Sequence, residues 1–489
     1  MTEKISNRSN EMRKKVKKAD NLSEWYLTVV QEGKFADYAP VKGTMIIRPN
    51  GYALWEAVVR IFDLRIKQMG VENGYFPLFI PMSFLEREKD HVEGFSPELA
   101  VVTHGGGKKL EESIAVRPTS ETIMYDAYAR WITSYRDLPL KLNQWCNVVR
   151  WEKRTFPFLR TTEFLWQEGH TAHETHEEAA KQVEAALNHY AEFLRETLAL
   201  PIVIGKKSKS ETFAGALYTF SCEALMPDGK ALQVATSHHL GQNFSKELAF
   251  NISFQNRDDQ PDFVHQTSWG MSTRVIGGLL MTHGDDKGAI IPPRMAAQQI
   301  TVIPITRKNE DEKLVFNFTD LVISQLAKDD YTAKADDREK TSPGSKFHDW
   351  EIVGVPLRID IGPNEVKDKA VVVVRRDTGE KETVALADLN KRVGELLEAI
   401  QENLYQRAVD FLESRTTSAT TMDDFQKQIK ETPGFIRADW CGDPKCEEVI
   451  KDKTSATARV IPFEEPAEIG KCIVCEKQGK YQPLWSKSY

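Results

Sequence analysis

The apolar residues change rhythm at Pro292-Pro293, and this break constrains the fold more than any other feature of the chain. Before it, short segments such as Tyr218-Thr219-Phe220, Leu232-Gln233-Val234 and Met271 to Met281 alternate with glycine and polar turns, as in an antiparallel sheet. After it, Ile300 to Ile305, Leu314 to Leu326, Leu357 to Ile361 and Ala370 to Arg375 alternate strand and helix, and a long helix follows from about Leu386. A chain of 489 residues, 41% apolar, has material for about three domains. The expected architecture is therefore α/β and multidomain: a sheet-based unit over 1–297, an α/β unit over 298–415 and a small α+β unit over 416–489.

Two local features refine this. Thr175 and Glu178 have capping-box spacing, and Val183, Leu187, Tyr190, Leu194 and Leu198 share one helical face before Pro201 ends it. Prolines in Tyr75-Phe76-Pro77-Leu78-Phe79-Ile80-Pro81 mark an edge or an interface within Lys42 to Gly94. The first forty residues read as a charged helical entry. They mix acids and bases (Glu3, Lys4, Glu11, Arg13) without an apolar stretch of leader length, so a cytoplasmic location is expected. No window approaches the ~18 apolar residues of a membrane span, and Ala370 to Val374 is the longest unbroken run. A net charge of −7 argues against bulk electrostatic binding of nucleic acid. No DNA or membrane partner is expected, and any RNA contact must come from local basic surfaces.

Four of the six cysteines crowd into the last fifty residues. Cys441 and Cys446 read C-x4-C and Cys472 and Cys475 read C-x2-C, a spacing suited to one structural Zn2+ with four thiolates. Cys146 and Cys222 lie apart and are expected to be packing residues.

The chemistry concentrates in Val149-Arg150-Trp151-Glu152 and, after a loop, Arg160-Thr161-Thr162-Glu163-Phe164. Guanidinium groups bind phosphate oxygens bidentately, an aromatic ring covers a base and a carboxylate accepts from an exocyclic amine. On a β-hairpin one face would aim these groups at a bent nucleotide; the alternative is a surface hairpin with ordinary charges. A further arginine, Arg274, stands at a strand-to-helix junction in Ser268-Trp269-Gly270-Met271-Ser272-Thr273-Arg274. Other stretches are decoys. Gly105-Gly106-Gly107-Lys108-Lys109 lacks the spacing and Ser/Thr of a phosphate loop and reads as a turn. Lys206-Lys207-Ser208-Lys209-Ser210 reads as a solvated charge run. His170, His173 and His176 have three-residue spacing but no His-Glu-x-x-His, which weakens a metal reading.

These arginine stretches resemble the second and third signatures of class II aminoacyl-tRNA synthetases, and Gly70 to Pro81, with Pro77 and Pro81, resembles the first, which in that family lies at a homodimer interface. The resemblance implies an antiparallel-sheet catalytic domain flanked by helices and ATP with Mg2+ as substrate. It places Arg150 on the α-phosphate and the substrate carboxylate, Glu152 on the adenine amine and Arg160 on the γ-phosphate, with Phe164 and Arg274 sandwiching the adenine. Glu223 or nearby acids are candidates for magnesium.

A pocket for proline needs an acid and a hydroxyl for the secondary ammonium and an aromatic wall for the ring. Arg117-Pro118-Thr119-Ser120-Glu121-Thr122 supplies the first two, unless Thr119 and Glu121 only cap the following helix. Phe164-Leu165-Trp166-Gln167-Glu168-Gly169-His170 supplies the wall. The combination resembles prolyl-tRNA synthetases of the archaeal and eukaryotic type over nearly the whole chain. That resemblance assigns Thr119 and Glu121 to the proline amine and Trp166, Glu168 and His170 to wall and support. From Gln233-Val234-Ala235-Thr236-Ser237-His238 it adds Gln233 and Thr236, with Thr161, to the nucleotide, and Ser237 or His238 to proline. The family more often has glycine where Val234 and Ala235 stand.

It also implies an anticodon-binding second domain, with Lys346, Glu351 and Arg358 as candidates for tRNA(Pro), a C-terminal zinc unit, and a terminal Tyr489 that reaches back toward the active site. The stretch between the second and third signatures leaves no room for an editing insertion. The implied function is activation of proline by ATP and its transfer to tRNA(Pro). The rivals are a synthetase-like tRNA-binding or regulatory paralogue without charging activity, and a hydrolase using the His170 to His176 group.

Overall fold

The computed structural model describes residues 16–85, 99–306, 312–464, 466 and 468–489. The entry segment before residue 16 and the end of the Lys42 to Gly94 stretch lie outside the described residues, and the entry helix appears from α1 (Leu22–Glu32) onward. The middle of an eleven-stranded sheet is built from β1 (Leu140–Val149), β2 (Glu163–His173), β3 (Val203–Lys206), β4 (Tyr218–Leu225), β5 (Ala231–Gly241) and β6 (His265–Ser272). Their spatial order is β3-β4-β5-β6-β2-β1, and every neighbouring pair is antiparallel. The segment Met271 to Met281, expected as part of this sheet, divides: β6 ends at Ser272 and a helix follows.

Helices α2 (Pro49–Gln68), α3 (Glu121–Trp131), α4 (His176–Glu196) and α5 (Arg274–His283) surround the sheet. Thr175 caps α4 by accepting from the Glu178 amide at 3.2 Å, a bond that contributes about 1 kcal/mol. The apolar stripe Val183, Leu187, Tyr190 and Leu194 is buried, as its helical spacing requires. Phe62 of α2 stacks on Tyr190 with ring centroids 5.0 Å apart, and Arg65 forks onto Glu192 and Glu196. Strand alternation then gives the sheet two chemistries. On β2, Gln167 points toward α4, where it accepts from the Tyr190 hydroxyl at 2.5 Å, while Phe164, Trp166, Glu168 and His170 face the other way.

The second unit follows from β7 (Ile300–Pro304) through α6 (Glu312–Leu326), α7 (Pro343–Val353), β8 (Leu357–Ile361), β9 (Ala370–Arg375) and β10 (Lys381–Ala385) to α8 (Leu389–Ser414). Its sheet runs Ala333–Ala335, β7, β8, β9, β10. The first three strands are parallel and the last two pair antiparallel.

The third unit carries α9 (Pro444–Thr454), β11 (Thr457–Pro462) and β12 (Leu484–Ser486). Its sheet is continuous with the first unit's, because β11 pairs with β3 through Ile461↔Lys206 and Pro462↔Gly205. A Cβ on Gly205 would stand 2.3 Å from the Ile461 carbonyl oxygen, so only glycine admits this approach. Lys206 to Ser210, expected to be a solvated run, lies on this seam: Lys207 is 3% and Ser208 2% exposed, because β11 and α9 cover them. Gly205→Ala should destabilise this docking by about 1–3 kcal/mol. Hydrogen exchange should show faster opening of β11 and β12, with the β7–β10 sheet unaffected.

Candidate functional site

The sheet face away from α4 floors a cleft. From β2 it receives Phe164, Trp166, Glu168 and His170; from β5 Gln233, Thr236 and His238; and from the flanking loops and helix starts Thr119, Glu121, Arg150 and Arg274. Residues separated by more than a hundred positions in the chain thus meet in one place, and the register of four paired strands brings them together. The path around Val234, where the resemblance leads one to expect glycine, is a β-bulge. Cys222 faces Ala235 and Glu223 faces Gln233, so Val234 is the extra residue and needs no positive φ.

Thr119 donates to Glu121, and both lie buried in the cleft. They do not cap α3: its N-cap is Ser120, which makes no side-chain cap bond. Ser120 instead turns inward and donates to Glu168, through Oγ at 2.5 Å and its amide at 3.2 Å. Gln144 donates to the same carboxylate at 3.0 Å and Cys146 at 3.3 Å, while His170 Nε2 lies 3.0 Å away. Cys146 therefore belongs to this polar network as well as to the packing. Burial alone would raise the Glu168 pKa, but the bonds and charge of His170, with Ser120 and Gln144, hold it below the ordinary 4.5. Burial would likewise lower His170, yet its bond to Glu168 and the charges of Glu121 and Glu168 carry it above 6.5. His238 is different. Burial and the cations His170 and Lys207 bring it down to about 3, so it is a neutral ring at physiological pH.

The opposite wall is cationic. Arg150 donates to the Pro118 carbonyl at 3.0 Å and lies over the rings of Trp166 and Phe164, 5.3 and 5.6 Å from their centroids. Arg274 donates to the carbonyls of Leu159 and Gln233 at 2.9 and 3.2 Å. Among the described residues neither guanidinium is ion-paired with a carboxylate. Burial, then repulsion from Arg150, brings Arg274 down to about 10, so it stays charged. Two guanidiniums without an ion-pair contact, one of them lying over two aromatic rings, form a receptor for an anionic, flat-ended ligand, while Glu121, Glu168 and Glu152 act on Arg150 only at longer range.

Not every expected residue lines the cleft. Arg160 and Glu152 are not among its lining residues and pair with each other at 2.7 Å. Thr161 is buried and donates to the Glu163 carbonyl. Ser237 lies on the α4 face, where it donates to the Val183 carbonyl at 2.9 Å; strand alternation removes it from the cleft and leaves His238 there. Glu223, considered for magnesium, is sealed between Lys207 and Arg459. Tyr489 does reach back onto the first unit, but it bonds Ala231 and Asp228 at the β4–β5 turn, short of the cleft. Of the three histidines, His170 serves Glu168, His173 bonds Thr171 and His176 stacks on His239. Glu211, Phe213 and Ser268 also line the cleft, and Ser268 Oγ is buried without a partner. Nothing in their spacing signals this, because they reach the site through loop packing and strand pairing.

In the second unit a cavity is lined by Phe347, Glu351, Arg358, Arg375 and Arg376, and the Arg358 guanidinium lies 3.8 Å from the Phe347 ring centroid. Lys346 does not reach it: its Nζ is buried and donates to the Asp336 carbonyl at 2.7 Å. In the third unit the sulfurs of Cys441, Cys446, Cys472 and Cys475 lie within 4.8 Å of one another, two of the separations being 3.7 Å. A tetrahedron with Zn–S of about 2.3 Å has edges of about 3.8 Å, so the donor set fits zinc. Burial opposes ionisation at Cys472, but backbone amides including those of Cys475 and Val474 bring its thiol down to about 7.

Three family matches cover these units: the tRNA synthetase class II core domain (G, H, P, S and T) over residues 103–283, the anticodon binding domain over 299–396 and the prolyl-tRNA synthetase C-terminal domain over 422–489. A proline–tRNA ligase of Natranaerobius thermophilus is 51% identical over 457 residues, covering 94% of each chain. That of Chlorobium chlorochromatii is 48% identical over the full length of both chains. The ligase of Oceanobacillus iheyensis is 49% identical over 96% of this chain and 97% of its own. With a class II core, an anticodon-binding domain and this C-terminal domain in one chain, and near half-identity over almost its whole length, the protein belongs to the prolyl-tRNA synthetase family.

Proposed function

We propose that the cleft joins proline to AMP at the expense of ATP and then passes the prolyl group to the 3′ end of tRNA(Pro). The observation that carries this reading is the pair of guanidiniums, Arg150 and Arg274, held without carboxylate partners beside the Thr119–Glu121 pair. A polyphosphate answers the first and a secondary ammonium the second. The attacking carboxylate is already a nucleophile, so no general base is required. Catalysis then consists of alignment and of neutralising charge on the pentavalent phosphorus, tasks assigned here to Arg150 and Arg274. Phe164 covers the adenine, Gln233 and Thr236 hold the nucleotide, and Trp166 with His238 encloses the proline ring. Arg160 and Glu152 exchange their mutual bond for the γ-phosphate and the adenine amine. Magnesium bound to the phosphates supplies further charge neutralisation. A regulatory paralogue without activity has no need of a fully furnished cleft of this kind.

The finer features belong to the same proposal. The relatives named above are bacterial; the assignment to the archaeal and eukaryotic type is supported by four C-terminal cysteines that fit zinc and by the stretch between the two arginine signatures, which holds only α4 and strands. Tyr75 and Phe79, 73% and 48% exposed on the Gly70–Pro81 segment, support a homodimer through that surface. Glu351 and Arg358 read anticodon bases from the second unit's cavity. No helix among the described residues is long and apolar enough to cross a membrane.

Proline-dependent exchange of pyrophosphate into ATP, followed by charging of a tRNA(Pro) transcript, tests the reaction. Arg274→Ala should lower exchange about 10²–10³-fold with an unchanged circular dichroism spectrum, and an undiminished rate would reject the assignment. The Glu168–His170 pair sets a pH window. The carboxylate's contribution is present above 4.5 and lost as pH falls through its lowered value; the imidazolium's is present below 6.5 and lost as pH rises through its raised value. KM for proline should therefore rise on an alkaline limb above pH 6.5, and His170→Gln should abolish that limb. Chelation should release one zinc per chain and expose the Cys441–Cys475 thiols to titration.

A further inference from the structure

Three charged groups lie buried on the seam between the first and third units. Glu223 of β4 is fully enclosed, and Lys207 Nζ donates to it at 2.7 Å. Arg459 of β11 crosses from the third unit and donates to both of its oxygens at 3.1 to 3.2 Å. Burial alone would raise the Glu223 pKa, but the charges of Lys207 and Arg459 hold it below the ordinary value. Two cations on one buried carboxylate leave an excess positive charge. The nearest further acid is Glu211, whose Oε2 lies 3.7 Å from Arg459 Nη1. Glu211 lines the cleft.

The loop that carries Glu211 is held from both sides. Ser208 donates to Glu447 of α9 at 2.7 Å, and Thr212 Oγ1 closes the turn by donating to the Ser208 carbonyl at 2.8 Å. Beyond it, the Phe213 amide donates to Thr219 Oγ1 at 3.0 Å, which in turn lies 2.9 Å from His238 Nδ1. Phe213 also packs against His238 with ring centroids 4.7 Å apart and the planes tilted by 40°. The path from Arg459 to the ring assigned to the proline side therefore runs through close contacts at every step.

We infer that Arg459, from the C-terminal unit, is a positioning residue for proline binding: it holds Glu211 against the cleft wall and so fixes the Glu211–Phe213 side of the amino-acid pocket. The inference rests on the proposed proline-activating role of the cleft. Released from Arg459, Glu211 would bring a mobile negative charge into a site that must admit polyphosphate and orient a single ammonium. Arg459 does not touch substrate, and its effect travels through Glu211.

A double-mutant cycle in the full-length, zinc-loaded protein tests this, using steady-state pyrophosphate exchange with proline and ATP varied separately. Arg459→Gln should raise KM for proline about tenfold and leave KM for ATP within about twofold, a coupling of the size found for neighbouring charges. Zinc content should stay at the wild-type value. Arg459→Lys should recover most of the loss, and in a Glu211→Gln background Arg459→Gln should add less than about twofold, since its target is gone. Equal effects on both substrates, or the same proline effect with and without Glu211, would overturn the inference. If Arg459→Gln leaves Glu223 too poorly paired to fold, the same cycle with Glu211→Gln is run in a Glu223→Gln background, where loss of the Arg459 cation leaves no buried carboxylate unpaired. Exchange by the wild-type protein in parallel separates the two levels: its absence removes the activation reading, whereas its presence with an additive cycle removes only the role of Arg459.

Discussion

The pairing of β2 between β1 and β6 is the constraint on which the rest depends. Side chains alternate along a strand, so a slip of one residue would turn Glu168 and His170 toward α4 and bring Gln167 and Gly169 into the cleft. Packing on the α4 side opposes such a slip. Trp269 lies against Gly169, where a Cβ would stand 2.1 Å from its ring, and Tyr190 bonds Gln167. The same contacts that bury the core face thereby hold the reactive face in register, and stability and function share one set of hydrogen-bonded strands.

Charge is handled in opposite ways in the two parts of the sheet. On the seam, Glu223 meets Lys207 and Arg459, and Glu211 answers the remaining positive charge, so little is left for a ligand. Beside the Thr119–Glu121 pair, Glu168 is saturated by four side chains and an amide, which hold it as a fixed anion. Arg150 and Arg274 are instead given only carbonyl partners. Carbonyls orient a guanidinium without neutralising it, so its charge remains available to phosphate. That part of the cleft is preorganised for anions because carbonyls, not ion-paired carboxylates, orient its guanidiniums, the nearby acids acting on them only at longer range.

The third unit is part of the catalytic architecture. Its strand β11 extends the catalytic sheet, Gly205 permits the close approach, and Glu447 and Arg459 reach the loop that borders the cleft. A chain segment that reads as a separate metal-stapled module shares hydrogen bonds and buried charge with the active-site unit, so their stabilities are coupled.

Local chemistry was legible in the residues. The capping spacing of Thr175 and Glu178 marks the start of α4, the rhythm change at Pro292-Pro293 marks the second unit and the four cysteines converge as their spacing requires. Arg150, Phe164 and Arg274 of the arginine stretches and the Thr119–Glu121 pair likewise meet in one cleft. These signals lie within a few residues of one another along the chain, or in motifs whose partners are themselves motifs. Tertiary structure decided the rest. It turned Ser237 away and His238 in, buried Lys346 and Lys207, sealed Glu223, and brought Glu211 to the cleft. Whether a polar side chain meets a ligand, a neighbour or solvent depends on which face of a strand it occupies and what packs there. That is decided by register and by contacts with residues hundreds of positions away, which no local spacing encodes.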